Sequence, residues 1–446
     1  MRGTILCLGR LVVSTAVIVG AASHSFAQEV APNGQYSEGL AVGGWKLFPK
    51  VFVGGVYDDN IHQTDIDRKS GGSLRVVPNI VGLYDGGIHK TSVYGVVDAR
   101  FFDAESVSAT AGFTHLYEAM RDLGFVFYGN YTRQTDLFNN ALNFNNGALG
   151  PSISTSPSVY APLVLNPFGT TPGVNPVAYN QFTGGTAVTK QFDKLFVTLG
   201  GTVYHIAFDH NNSPIGDPFR TSHDGTGLWV TGRVGYNVTP GLYVFGESSG
   251  IFQDFNNSLF NTNGYRVVGG VGSNDSRSFF RGEVFGGYQA QFQENHDVIA
   301  PFIPNDGVAA FIPRDVNTGV FGGRLYYYPT RYWTLMAQVD ESLGISTTIS
   351  PTIPEGTPTR VINAILQTNY SLSRWWSVGA RAGYTRGDFI GISRVDEGWL
   401  AGASFNYEVW RNLTLTLDYQ YTTVHSDAQL SDFTKNVVTA GLTYRY

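Results

Sequence analysis

The stretch Leu413-Thr414-Leu415-Thr416-Leu417-Asp418-Tyr419-Gln420-Tyr421 places an apolar or aromatic side chain at every odd position and a polar one at every even position. Because successive side chains of a strand point to opposite faces, this period of two predicts a β-strand with one apolar and one polar face. The segments 399–408 and 376–385 repeat the pattern directly upstream. Three successive strands of this kind predict an antiparallel β-structure.

The composition of the 446-residue chain favours a β-barrel in a membrane. It holds 54 Gly, 25 Tyr and 30 Phe, and 14% of its residues are charged, against about 25% in a typical soluble protein. After residue 27 no stretch approaches the roughly eighteen consecutive apolar residues of a membrane-spanning helix. In a barrel strand apolar residues alternate with polar ones, so the average over the chain is near zero. The mean hydropathy of −0.08 fits this arrangement. We therefore predict an all-β fold, a transmembrane antiparallel up-and-down β-barrel.

The N-terminus has the organisation of a cleaved secretory signal at 1–27. Arg2 and Arg10 precede an apolar stretch, and Ser25-Phe26-Ala27 supplies the small residues that a signal peptidase reads. We expect cleavage after Ala27, a periplasmic lead-in at 28–46 and a barrel at 47–446.

Charge and cysteine content exclude several classes of function. Cys7 is the only cysteine and leaves with the signal, so the mature chain has no thiol for a disulfide, a thiolate metal site or a Cys-His nucleophile. The net charge of −6 argues against a nucleic-acid partner. No cofactor is indicated.

Reading the alternation backward from the C-terminus gives about eighteen strands. An even number is expected of a closed bacterial barrel. Sixteen stays open, because the segments 108–120 and 263–273 are weakly patterned. The predicted strands lie at 47–58, 73–84, 91–102, 108–120, 123–134, 179–190, 194–208, 225–237, 241–253, 263–273, 278–293, 317–328, 332–347, 359–373, 375–387, 395–408, 412–424 and 434–446.

Short and long connections alternate along the chain. Short turns such as Arg121-Asp122 and Ser373-Arg374 are expected at the periplasmic side, and long loops at the outer side. The longest, 135–178, is the third outer loop and is rich in Asn, Pro and Gly. Such a loop is functional or disordered in most folds, so it either narrows the lumen as a plug or forms a solvated surface loop.

Two stretches resemble known outer-membrane families. The last predicted strand carries Val438, Ala440, Leu442, Tyr444 and Tyr446 on one face, at every second position. This arrangement resembles the C-terminal signature that the barrel-assembly machinery recognises. The stretch 47–61, with Tyr57-Asp58-Asp59-Asn60-Ile61 at its core, resembles the opening strand of the putative β-barrel porin type 2 family. That resemblance implies an outer-membrane barrel without catalytic residues, and a link to exopolysaccharide production.

Charged residues on the predicted strands lie mostly at the alternate positions whose side chains would point into the lumen, which we call the lumen phase. Because Arg or Lys facing lipid costs about 2–4 kcal/mol at the bilayer midplane, we expect charged strand residues almost all to point inward. There they either hydrate the wall and pair across strands, or set selectivity for small anions or sugars. The candidates are Arg75, Arg100, Arg233, Arg281, Arg324, Arg381, Asp98, Glu118, Glu247, Glu283, Asp340 and Asp418. Leu442, Tyr444 and Tyr446 are the candidate insertion signal.

Aromatic residues near the predicted periplasmic turns indicate a belt at the lipid headgroups. A sugar slide, that is, a row of aromatic rings along which sugars pass through the channel, would instead need rings in the lumen phase. The belt candidates are Trp333, Trp375, Trp376, Tyr326, Tyr327, Tyr328 and Tyr332, and the slide candidates are Trp229, Phe285 and Tyr326.

Other chemistry has weaker support. The run 58–60 with Asp65 and Asp67 could offer oxygens to calcium, although a strand end entering a solvated loop explains it more simply. The run 294–297 lacks metal-ligand spacing, so no metal is assigned. His205, His210, His223 and His425 lie at outer strand ends without a motif for a membrane-embedded hydrolase.

The sequence thus favours a porin for passive diffusion of small polar solutes. The alternatives are an accessory of exopolysaccharide export or surface assembly, whose lumen would be plugged, and, with less support, an outer-membrane enzyme. Expected partners are outer-membrane lipid and lipopolysaccharide, the barrel-assembly machinery and small polar solutes, and the sequence leaves a homo-oligomer open.

Overall fold

The computed structural model describes residues 39–103, 105–134, 179–208, 224–256, 258, 261–274, 278–296, 314–345, 358–427 and 432–446. The predicted signal peptide and the loop 135–178 lie outside these residues. No described segment forms a helix long and apolar enough to cross a lipid bilayer.

The described chain is built from antiparallel strands. A short strand β1 (Leu40–Val42) precedes long ones of 12 residues or more. The long strands are β2 (Trp45–Asp58), β3 (Gly71–Asp85), β4 (His89–Phe102), β5 (Ser106–Met120), β6 (Leu123–Gln134), β7 (Tyr179–Phe192), β8 (Leu195–Phe208), β9 (Gly225–Thr239), β10 (Leu242–Phe255), β11 (Thr262–Ser273), β12 (Phe280–Gln293), β13 (Val316–Thr330), β14 (Trp333–Ile345), β15 (Pro358–Ser371), β16 (Trp376–Phe389), β17 (Arg394–Trp410), β18 (Leu413–Ser426) and β19 (Phe433–Arg445).

Strands β2 to β19 close into an eighteen-stranded barrel. Each pairs with the next along the chain, and β19 returns to β2 with register Val437↔Asp58 through Arg445↔Lys50. The predicted fold class and strand count are therefore confirmed, and the weakly patterned segments are β5 and β11. Strand β1 folds onto the start of β2 through a tight turn, so part of the expected lead-in is a hairpin.

The two faces of the wall are identified by contacts that skip strands. Arg233 on β9 donates to Glu283 on β12 at 2.8 Å. Gln253 on β10 donates to Tyr204 on β8 at 2.7 Å. Since side chains converge across intervening strands only on the concave side of a closed sheet, residues in phase with these face inward. Apolar residues of the opposite phase face outward and are exposed, as for Leu199 (52%), Val234 (50%) and Val267 (49%).

The seam between the first and last barrel strands is held by the run 58–60. Asp58 forms a buried ion pair with Lys435 at 2.8 Å. Asp59 accepts two 2.6 Å hydrogen bonds from Asn436. Asn60 is fully buried and donates its side-chain amide to a β19 backbone carbonyl at 2.8 Å. These polar groups therefore fasten β2 to β19, which accounts for them without a metal.

Candidate pore lining

All twelve predicted lumen residues lie in the inward phase of their strands. The alternation within each strand fixes this placement once the strand bounds are known. Their role in selectivity stays a prediction. They are distributed over three groups of strands: β3 to β5, β9 to β14, and β16 with β18.

The densest group surrounds Arg233. Its guanidinium donates to Glu247 at 2.6 Å and to Glu283 at 2.8 Å, and all three side chains are less than a tenth exposed. Tyr243 donates its hydroxyl to Glu283 at 2.9 Å. The Phe245 ring lies under the guanidinium, 3.9 Å from Cζ to the ring centroid. This cluster braces β9, β10 and β12 across the inner wall.

Two bidentate ion pairs hold other parts of the wall. Arg75 binds both carboxylate oxygens of Asp98, and Arg100 is the direct register partner of Arg75. Arg381 on β16 binds both oxygens of Asp418 on β18 at 2.7 Å. Bidentate arginine pairs are geometrically specific, so they fix these guanidinium planes against the wall.

The inner wall is more basic than the chain as a whole. Sequence reasoning missed Arg266, whose guanidinium lies over Phe285, although its strand phase was available as a signal. The whole chain carries 29 Lys and Arg against 35 Asp and Glu. Inward positions of the described strands carry Lys46, Lys50, Arg75, Lys90, Arg100, Arg233, Arg266, Arg281, Arg324, Arg381, Arg394, Lys435 and Arg445 against Asp58, Asp85, Asp98, Glu118, Glu247, Glu283, Asp340, Asp396, Glu408 and Asp418.

Inward aromatic rings lie over glycines of the neighbouring strand. A Cβ added at Gly322 would stand 2.5 Å from Phe285 Cζ, closer than any real contact allows. Eight such pairs are direct register partners, so each ring covers space that a larger residue would fill. The rings therefore line the wall instead of crossing the lumen. The pairs are Tyr94–Gly112, Tyr128–Gly185, Phe196–Gly235, Tyr204–Gly227, Phe255–Gly225, Tyr243–Gly272, Phe245–Gly270 and Phe285–Gly322.

The predicted aromatic belt divides between the two faces. Trp333 and Trp376 are exposed on the outward face, as a belt requires. Tyr326 and Tyr328 lie in the inward phase and stack with each other at 6.3 Å, so their assignment to the belt is wrong. The belt assignment followed closeness to the turn, whereas the lumen phase, which was applied to Tyr326 only as a slide candidate, gives the observed face.

The sugar-slide alternative has little geometric support. Trp229 is buried, and the Phe285 ring is covered by Arg266 at 4.7 Å. Tyr326 stacks on its neighbour Tyr328. These rings do not present a continuous path along the described wall.

The expectation that charged strand residues face inward is wrong at the outer ends of β14 to β17. There Glu341 pairs with Arg360, and Arg386 binds Asp388 at 3.0 Å and Glu397 at 2.7 Å, all in the outward phase. The cost of a charge on the lipid face falls to about 0–1 kcal/mol near the interface. The opposite charges also neutralise one another there.

The histidine and metal candidates are not assembled into sites. His205 contacts the Thr226 hydroxyl at 3.0 Å, and His425 lies 3.6 Å from Asp432. His210, His223 and Asp297 lie outside the described residues. Within the part of the chain that the structure describes, no group of three or more His, Cys, Asp or Glu side chains could hold a metal ion.

Comparison with known protein families shows which family the chain matches. The model of the family Putative beta-barrel porin 2 matches residues 166–298 and 315–446, more than half of the chain. The chain belongs to this porin family. The predicted family is thus confirmed through segments downstream of the stretch 47–61 that first suggested it. Membership implies an outer-membrane barrel of the porin type.

Solved structures match this porin at low similarity. The outer membrane protein OpdK from Pseudomonas aeruginosa is 8% identical, with a TM-score of 0.40 over 90% of this chain and 99% of OpdK. OpdQ from the same organism is 10% identical, with a TM-score of 0.41 over 90% of this chain and 98% of OpdQ. At this level the similarities carry no information on function. No curated protein matches the chain.

Proposed function

We propose that this porin allows passive diffusion of small polar solutes and prefers anions. The observation that carries the proposal is the inward face of a closed eighteen-stranded barrel, where polar and charged residues alternate with the outward apolar set. Barrels of sixteen to eighteen strands are wide enough to leave an aqueous channel. The excess of inward Arg and Lys over Asp and Glu favours anions.

The aromatic–glycine pairs support the same function. A ring that projected from the wall would narrow the lumen, whereas a ring that lies over a glycine of the next strand leaves the cross-section free. The eight pairs of this kind are spread over β4 to β13.

One observation favours the alternative of an accessory to exopolysaccharide export or surface assembly. Arg233, Glu247 and Glu283 are nearly inaccessible to solvent and bridge β9 to β12, as braces of a poorly conducting interior would. This role predicts a barrel that serves a partner complex and passes little current.

Single-channel recording distinguishes the two functions. The mature protein from residue 28 onward is refolded and inserted in a planar bilayer, beside a variant lacking residues 140–175. Stable ohmic conductance, with a reversal potential of the sign for anion preference in a KCl gradient, supports the proposal. An increase in conductance on deletion indicates that the loop narrows the lumen. No conductance in either form contradicts the proposal and favours the accessory role.

Biogenesis follows from the same proposal. The signal at 1–27 exports the chain in a Gram-negative cell, and the barrel-assembly machinery reads Leu442 and Tyr444, exposed on the outward face of β19, together with the exposed terminal Tyr446. The barrel then lies among phospholipid and lipopolysaccharide, alone or as a homo-oligomer, and acts in transport and not in catalysis.

A further inference from the structure

Two histidines meet on the outward face of the barrel, close to the short turn that joins β3 to β4. His89 is the first residue of β4, and His115 on β5 is the direct register partner of Thr91. The Nδ1 atom of His89 lies 3.3 Å from Nε2 of His115, in hydrogen-bond geometry. Short turns face the periplasm in outer-membrane barrels. We call His89, Thr91 and His115 the histidine site.

The distance between the two ring nitrogens fits a shared metal ion as well as a shared proton. Two imidazole nitrogens that each bind a tetrahedral Zn²⁺ at about 2.0–2.1 Å lie about 3.3–3.4 Å from each other. The two nitrogens of the histidine site are 3.3 Å apart. The rings therefore need little movement to place one zinc ion between these nitrogens.

Neighbouring side chains orient both rings. The hydroxyl oxygen of Thr91 lies 2.8 Å from Nδ1 of His115. When Nδ1–H donates to this hydroxyl, the neutral ring of His115 keeps the lone pair of Nε2 available for a metal, as in most histidine ligands. The ring of His89 stacks on Tyr117, with 4.7 Å between the centroids and 9° between the planes. In the zinc-bound form His89 carries its proton on Nε2, so that Nδ1 is also available.

The surroundings of the histidine site suit an exchangeable cation. His89 is exposed and His115 is half-buried, so water reaches the pair and can supply further ligands. The outward positions of β4 and β5 carry no Lys or Arg, so no positive charge on these two strands opposes the ion. Within the described residues no third His, Cys, Asp or Glu completes a group around the pair. The ion would therefore be held by two protein ligands and remain exchangeable.

We infer that the histidine site binds Zn²⁺ through Nδ1 of His89 and Nε2 of His115, with water in the remaining positions. Neutral imidazole is a common ligand of zinc, and its second nitrogen usually binds a neighbouring acceptor, as His115 does with Thr91. His205 offers an internal comparison, because its Nδ1 lies 3.0 Å from the hydroxyl of Thr226 and thus reproduces half of the site.

The test is zinc binding by the full mature barrel, purified in detergent without a histidine tag. Isothermal titration with Zn²⁺ gives the stoichiometry and affinity, and X-ray absorption at the zinc K-edge counts the imidazole ligands. The variants are His89→Gln, His115→Gln and Thr91→Val, and His205→Gln is the matched control. Heat-modifiable migration on gels confirms that each variant is folded.

Wild type and His205→Gln are expected to bind one Zn²⁺ with two imidazole ligands. His89→Gln and His115→Gln should each lose this binding, and Thr91→Val should weaken it by about 10–100-fold, as removal of a group that orients a ligand does. The inference is overturned if wild type binds no zinc, if either histidine variant binds it unchanged, or if His205→Gln loses it equally. Unchanged affinity in Thr91→Val contradicts the role of Thr91 as a positioning residue. Because conductance does not enter the measurement, its outcome is independent of the proposed transport function.

Discussion

Two arcs of the inner wall differ in their chemistry. The charged arc, β9 to β14, carries Arg233, Glu247, Arg266, Arg281, Glu283, Arg324 and Asp340 on its inward face. The neutral arc, β6 to β8, carries Thr, Asn, Gln and Tyr there, and none of its described inward residues is charged. Neutral hydroxyl contacts such as Thr189 to Thr198 at 3.0 Å replace the ion pairs.

The difference indicates that charge is distributed unevenly around the lumen. Fixed charges on one side produce a field across the channel, and low-dielectric walls concentrate it. A solute with a dipole would therefore be oriented as it passes between the arcs. The neutral arc is also where the segment 135–178 joins β6 to β7, so the longest outer loop originates beside the charged arc and not within it.

Removing the central cation of the charged arc should have the largest effect. Arg233→Ala leaves Glu247 and Glu283 buried without their partner, which costs about 3–5 kcal/mol. Thermal unfolding by circular dichroism should show lower stability, and the reversal potential should shift toward cations. The variant Arg233→Met/Glu247→Gln/Glu283→Gln is the control, since it removes all three charges. Its stability should largely recover, and wild-type stability of Arg233→Ala would contradict the buried cluster.

A mutation between the two arcs should have an intermediate effect. Gly235→Ala on β9 places a methyl group under the Phe196 ring of β8, so the ring must move toward the lumen. Overpacking of this kind costs about 1–3 kcal/mol, and single-channel conductance should fall. Adding Phe196→Ala should restore conductance. The outward Gly246→Ala has no atom within 4 Å of the new methyl carbon and should leave conductance unchanged. A reduction that persists without the Phe196 ring would refute the steric explanation.

Charging the neutral arc should have the smallest effect. Gln181→Glu on β7 adds an inward anion far from the ion pairs of the charged arc, which should slightly reduce anion preference. The Debye length is about 30 Å at 0.01 M salt and about 3 Å at 1 M, so the change in reversal potential should disappear at high salt. Gln181→Met serves as the uncharged control. An equal shift at both salt concentrations would show that the added charge is not the cause.

Much of the barrel wall could be predicted from the alternation of apolar and polar residues. The segments at 412–424 and 395–408 were placed within a few residues, because one face must meet lipid and a slip of one residue would reverse every side chain. The same phase located Arg381 and Asp418 on the inner face. Tyr326 and Tyr328 were assigned to the belt because they lie close to the turn, although the same phase places them on the inner face.

The sequence by itself determined the strands, their even number, the two faces and the porin family, since these depend on period two and on local motifs. Only the tertiary structure decided which residues meet. The bond from Arg233 to Glu283 crosses two strands, the run 58–60 joins residues nearly four hundred positions away, and each ring finds its glycine through register. Such contacts depend on the curvature and closure of the barrel, which bring together side chains that are distant in the sequence. The local alternation of residues contains no information about them.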